Sequence, residues 1–215
     1  YAAINYFTDP ANTRLYEKRN LTVESITQRL ANIMRILLVK RLESNFTAFK
    51  KSLHNLQQYT QNMIDMIEAD TIFVCPDIDV NAIIAKYGSL PEAIPYLKDK
   101  IESKGGNNRQ FVANDFKDDY HEALKSDKKL IDDLCRRWDA NDYDPKLDTF
   151  KASIDTRLFD AKINNPSGFD KPRLVIFSEA IDTVDSISRV LENRGYNVLK
   201  ITAANREAMQ SVIKE

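Results

Sequence analysis

The sequence predicts a mainly α-helical region with a long helical arm over residues 1–140, followed by a partial α/β unit of the β-α-β-α kind over 141–215. Three observations carry this. Leu42, Phe46, Phe49, Leu53, Leu56, Thr60, Met63 and Ile67 recur at alternating spacings of four and three, which places seven apolar side chains and one Thr on a single helical stripe. Glycine is scarce, and Gly88, Gly105, Gly106 and Gly168 fall between stretches of helical period rather than within them. Near the end, two short runs of β-formers, RLVIFS and NVLKIT, flank the amphipathic stretch AIDTVDSISRVLENRGY, the pattern of a β-α-β unit.

In chain order, Thr22 is placed to cap a helix carrying Ile26, Leu30, Ile33 and Leu37, and no Pro or Gly separates it from the stripe helix, so the two are expected to run on. The stripe itself predicts about 26 helical residues. Its 3.5-residue repeat favours packing at a shallow angle along a partner helix, here expected to be a later helix in an antiparallel arm. TIFVC, residues 71–75, is a short β-branched run, and PDIDVNAIIAKYG then reads as a turn and a short helix. PEAIPYLKDKIESKGG predicts a helix with Pro91 in its first turn and glycines at its end. A further helical stretch covers 111–138. The acidic turn DANDYDPKLD changes the composition, a helix with Leu147, Phe150, Ile154, Leu158 and Ile163 follows, and NNPSGFDKP breaks the chain before the β-α-β unit. Its crossover length predicts parallel strands and a right-handed connection, in a sheet that needs more strands than these two.

Composition narrows the function classes. With 43% apolar and 29% charged residues the chain is that of a globular protein, and its apolar runs are too short to span a bilayer. The opening YAAINYFTDP has neither an initiator Met nor a basic and apolar leader, and a helical pattern is still running at Glu215. The sequence therefore reads as an internal stretch of a longer polypeptide. Cys75 and Cys135 lack the neighbours of a zinc site, and His54 and His121 are the only histidines, so neither a metal centre nor a His-dependent nucleophile is expected. Net charge is −1, but charge is segregated: residues 25–64 carry Arg29, Arg35, Lys40, Arg41, Lys50 and Lys51 against the single acid Glu43, while 65–103 hold eight acids against three lysines.

No phosphate-cradling G-x-x-x-x-G-K-[ST] motif occurs, so no ATP site is expected within the chain. Asp77 and Asp79 follow an apolar run as a magnesium-binding carboxylate would, but Asp79 is better read as the cap of VNAIIAKYG. Asp115, Asp118, Asp119, His121 and Glu122 read as a solvated helix face. Asp182 and Asp185 resemble the acids of a phosphoacceptor site, yet lie beyond the strand tip, which Ser178 and Glu179 occupy.

YDPKLDTFKASI, a break, and KPRLVIFSEAIDTVDSISRVLENRGYNVLKITA together resemble the entry to the second RecA-like lobe of Swi/Snf-type DNA helicases and translocases, where a D-P-K helix leads to the motif IV strand. MRILLVKRLESNFTAFKKSLHNL is similar to the basic helix that follows the first motor lobe in bacterial members, L-L-x-K-R-L-E-S-S, with Asn45 in place of the second Ser. The resemblance implies that residues 1–140 are a helical interlobe or insertion region and that 141–215 begin an incomplete RecA-like lobe. It implies a cytoplasmic ATP-dependent parent whose ATP and Mg are bound outside this chain, and DNA and the first RecA-like lobe of the same polypeptide as partners.

The expected DNA-binding residues are Arg35, Lys40, Arg41, Lys50 and Lys51 on the basic helix, with Ser178 and Thr202 at the carboxyl ends of the two predicted strands, where open α/β sheets bind ligands. For the cations the competing expectation is a solvated helix face; for Ser178 and Thr202 it is helix capping. Tyr1, Tyr6 and Phe7 are expected to pack rather than stack on bases. A non-enzymatic helical interaction module, and a receiver-like or nucleotide-binding α/β domain, are the alternative functions. The latter needs strands before Arg173 that the sequence does not offer.

Overall fold

The computed structural model describes residues 2–17, 21–154, 156 and 174–209, so Tyr1 and Arg173 lie outside the described residues. The chain divides into two compact units, one of Tyr1–Leu37 with Leu53–Ala140, the other of Leu38–Ser52 with Asn141–Glu215. Residues 38–52 thus group with 141–215 in the second unit.

The first unit is built on helices with one small sheet. A 3-10 turn, Ala2–Tyr6, precedes α1 (Pro10–Arg14), whose N-terminus is closed by Asp9 accepting from Ala11 N at 2.8 Å. Helix α2 (Val23–Ser44) starts where Thr22 Oγ1 accepts from Ser25 N at 3.3 Å, as its sequence predicts. Strand β1 (Ile72–Val74) pairs antiparallel with β2 (Arg109–Phe111), Ile72 opposite Phe111 and Val74 opposite Arg109. Between the two strands lie α4 (Val80–Tyr87), capped by Asp79 on Ala82 N at 2.9 Å, and α5 (Leu90–Lys104), with Pro91 in its first turn and Gly105 at its end. Gly88 closes α4 at φ 87°, a left-handed conformation that costs an L side chain on the order of 1–2 kcal/mol.

Ile72, Ala93, Leu97 and Leu124 are wholly or almost wholly buried in the core of this unit. Each large aliphatic side chain there contributes about 1.5–3 kcal/mol through the water it sheds. Phe7 rests against Phe111 and Phe116, with ring centroids 4.7 and 4.8 Å apart, while Tyr6 stacks on Tyr120 at 4.5 Å. These two aromatic residues of the expected patch are packing residues.

The expected arm is present as an antiparallel pair. Helix α3 (Phe46–Glu68) runs against α6 (Asp119–Asp139), with His54 Nε2 3.0 Å from Asp139, Gln57 Nε2 2.7 Å from Asp132 and Glu68 3.4 Å from His121 Nε2. Every stripe position from Leu42 to Ile67 is buried or half-buried. The continuous helix is corrected, however: α2 ends at Ser44 and α3 begins at Phe46. Asn45 causes the break, because its Oδ1 accepts from Thr47 N at 2.8 Å and Ala48 N at 3.2 Å and so caps a new helix start.

The second unit combines residues 38–52 with α7 (Pro145–Ser153) and α8 (Ile181–Glu192), which is followed by Gly195 at φ 83°. Neither β-former run takes up a strand: residues 174–178 and 196–202 have no ladder among the described residues. A parallel strand is stable when hydrogen-bonded along its edges and covered on both faces. Here Val175 is 72% and Phe177 92% exposed, so that cover is missing. The described structure is therefore mainly helical with a two-stranded antiparallel sheet, and the predicted parallel β-α-β pairing is not formed.

Candidate nucleic-acid interface

Polar side chains join the two segments of the second unit, and each residue of the Asp-Pro-Lys sequence has a separate task. Asp144 caps α7 by accepting from Lys146 N at 3.1 Å and Leu147 N at 3.0 Å through Oδ1, while its Oδ2 accepts from Phe46 N at 3.0 Å, the first amide of α3. Pro145 takes the first helical position, where its missing N–H costs nothing. Lys146 Nζ donates to Glu43 O at 2.9 Å, satisfying a carbonyl at the end of α2. The break at Asn45 thus has both of its open helix ends answered by one short segment about a hundred residues later.

Beside this joint the basic side chains meet the start of α8. Arg41 Nη1 and Lys51 Nζ, the latter at 2.6 Å, both donate to Asp182 in the first turn of α8. Lys40 Nζ lies 3.5 Å from Glu179. Ser44 Oγ and Thr183 Oγ1 share a hydrogen bond of 2.9 Å, and Thr183 is buried. The hydrogen bond from Lys51, joined by that from Arg41, holds the Asp182 carboxyl below the usual carboxylate range against a smaller opposing effect of burial.

Of the sequence-predicted residues, Lys40, Arg41 and Lys51 are thus brought together. Lys50 donates to Asn141 O at 2.7 Å and serves the chain's own backbone. Arg35 is exposed and falls in the first unit. Ser178 Oγ accepts from Ala180 N at 3.3 Å in a turn before α8, whose own N-cap is Ala180, so the hydroxyl caps a turn and not the helix. Thr202 donates through both N, at 2.6 Å, and Oγ1, at 3.1 Å, to Asn205 Oδ1 in a similar closed turn.

Sequence reasoning missed Asp144 and Asp182 as organising residues. Both lie one turn or less from a helix start, which was the available signal, but their partners sit 98 and 141 residues away. Asp185 pairs with Lys200 at 2.7 Å, so Asp185 as well as Asp182 neutralises a cation.

Elsewhere, an open groove of about 430 Å³ between α3 and α6 is lined by Gln61, Ile64, Glu122, Lys125, Lys128 and Asp132 among others, with Lys128 paired to Asp132 at 2.6 Å and Lys125 to Glu122 at 3.7 Å. Burial pushes the Cys75 thiol up to about 11, which leaves it a weak nucleophile at neutral pH. Among the described residues no group of three or more His, Cys, Asp or Glu is placed to hold a metal ion, and no helix is long and apolar enough to cross a membrane. No family model matches the chain, and neither does any curated protein or solved structure compared with it.

Proposed function

We propose that this chain is part of an ATP-dependent DNA helicase or translocase of the Swi/Snf type, in which residues 38–52 and 141–215 form the entry to the second RecA-like lobe. In this reading Lys40, Arg41 and Lys51 contribute charge to the grip on the duplex backbone, Arg35 is a further cation proposed to contact DNA, and the helical region lies between the lobes. ATP and Mg are held by motifs outside the 215 residues, and the first RecA-like lobe of the same polypeptide is the partner.

One observation carries the reading. Residues 38–52, the middle of the basic segment that bears the resemblance, are remote in sequence from residues 141–215, yet the two fall in one compact unit and are joined by Arg41 to Asp182, Lys146 to Glu43 and Phe46 to Asp144, across 141, 103 and 98 residues. A chance likeness of two short stretches gives no reason for them to assemble. A motor that must transmit lobe movement to its DNA grip requires the basic helix to be fixed to a lobe by directional contacts.

A second reading, a non-enzymatic helical interaction module, is favoured by the apolar residues on α2, where Leu30, Ile33, Ile36 and Leu37 are each 50–54% exposed. ATP hydrolysis by the longer polypeptide, with and without duplex DNA, separates the two. Hydrolysis stimulated by DNA is expected for the motor, whereas a polypeptide that turns over no ATP in either condition supports the module and refutes the motor.

A further inference from the structure

We infer that Asp182 is an internal stand-in for a DNA phosphate: in the unliganded chain it occupies the Arg41–Lys51 pair, and the duplex backbone must displace it to bind there. The inference rests on the DNA-binding reading and adds to it a competing ligand built into the same chain.

The geometry has the form of an anion site already filled. Two cations from different parts of the basic segment, Arg41 at the end of α2 and Lys51 in α3, converge on one carboxylate. A single surface ion pair satisfies one cation and is often energetically negligible; a carboxylate shared by a guanidinium and an ammonium, with only 19% of its side chain exposed, is a stronger and more directed arrangement. A phosphate presents the same kind of charged oxygen to the same two donors. Next to it, Glu179 faces Lys40 at 3.5 Å, with 91% of its side chain in solvent. Three cations therefore meet two carboxylates, and the local excess of positive charge is one rather than three.

Neutral contacts keep the start of α8 in place independently of this charge pairing. The Ser44–Thr183 hydrogen bond and burial of Thr183, Ser186 and Leu191 seat the helix, so release of Asp182 from its cations does not require α8 to leave. Arg41 and Lys51 have long side chains that can turn from the carboxylate to solvent without moving the backbone. The consequence is a DNA affinity set below what the cations alone would give, and a preference for ligands whose charge density exceeds that of one carboxylate. A duplex meets that requirement through phosphates spaced along both strands.

The test is fluorescence anisotropy with a short labelled duplex and the 215-residue chain, comparing wild type with Asp182→Asn, Asp182→Glu and Glu179→Gln. Removing the Asp182 charge is expected to tighten binding by about fivefold, the size of one partly covered ion pair. Asp182→Glu should bind as wild type does. Glu179→Gln, at a fully solvated side chain where the fold is not at risk, should tighten binding by a smaller factor and keeps the test valid if Asp182→Asn unfolds. Wild-type binding with no gain in either neutral variant overturns the inference and leaves the DNA-binding reading standing. Absence of duplex binding by every variant and by wild type overturns the reading, and the inference with it.

Discussion

The carboxylate of Asp144 accepts the first amide of α3, Phe46 N, at 3.0 Å while its other oxygen caps α7. One side chain therefore fixes the start of two helices and secures the position of the basic segment that precedes them. Asp144→Ala removes the acceptors of three backbone N–H groups at once from a buried site. Its expected cost is about 3 kcal/mol, from one lost cap and one amide left without a partner. Urea unfolding measures the cost, and hydrogen exchange at Phe46 N locates it: exchange there should accelerate far more than at Leu97.

Asn45 is the companion residue. Asn45→Ala deletes the acceptor for Thr47 N and Ala48 N, with an expected loss of about 1 kcal/mol, whereas Asn45→Ser should retain most of the stability because a hydroxyl can cap in the same place. Equal losses for the two substitutions, measured in the same unfolding experiment, would show that the cap is not what the site requires.

The first unit offers a contrast between packing and backbone effects. Leu97 is fully buried, so Leu97→Ala is expected to cost about 3 kcal/mol through lost burial and the cavity left behind. Gly88 has open space around it and fails to tolerate a side chain only because of its φ of 87°. Gly88→Ala should therefore cost about 1 kcal/mol by strain alone. Thermal unfolding of the two variants tests the ranking.

Asp182 and Asp132 titrate below the ordinary carboxylate range, Asp182 chiefly through Lys51 and Asp132 chiefly through its hydrogen bond from Lys128 and then that from Gln57. A depressed folded-state pKa means that the charged form is the stabilising one. The contribution is complete above the unfolded value of about 4 and disappears as pH falls through the folded value. Midpoint temperatures should thus be level near neutrality and decline below about pH 4. Asp182→Asn should make that acid decline shallower; a decline as steep as that of wild type would remove Asp182 from the account.

What the sequence made legible was local. Thr22, Asp79, Pro91, Gly88 and the glycines after α5 act on amides and carbonyls within a few residues of themselves, and each lies where the sequence pattern put it. The arm was legible as well, because the stripe from Leu53 to Ile67 sets a face that a long antiparallel neighbour such as α6 can cover. Asn45 shows the limit: nothing in residues 42–48 breaks the helical period, and the break is stabilised by Asp144, 98 residues from Phe46. The strands expected at 173–178 and 197–202 are not formed among the described residues, for the opposite reason. Their composition suits a sheet, but a ladder requires neighbouring strands, and Phe177 remains exposed without them. The candidate DNA-binding residues were legible as charge but not as partners, since the acids that meet Lys40, Arg41 and Lys51 belong to the start of α8 and the turn before it.

The central claim, that this basic cluster grips a duplex backbone, is tested most directly by the salt dependence of duplex affinity for the 215-residue chain, with and without the paired substitution Lys40→Ala and Arg41→Ala. Each phosphate contact contributes a slope of about 0.9 in log affinity against log salt concentration. The account predicts weaker binding by the double variant and a slope smaller by about 2. Identical affinity and slope for the two proteins would contradict it.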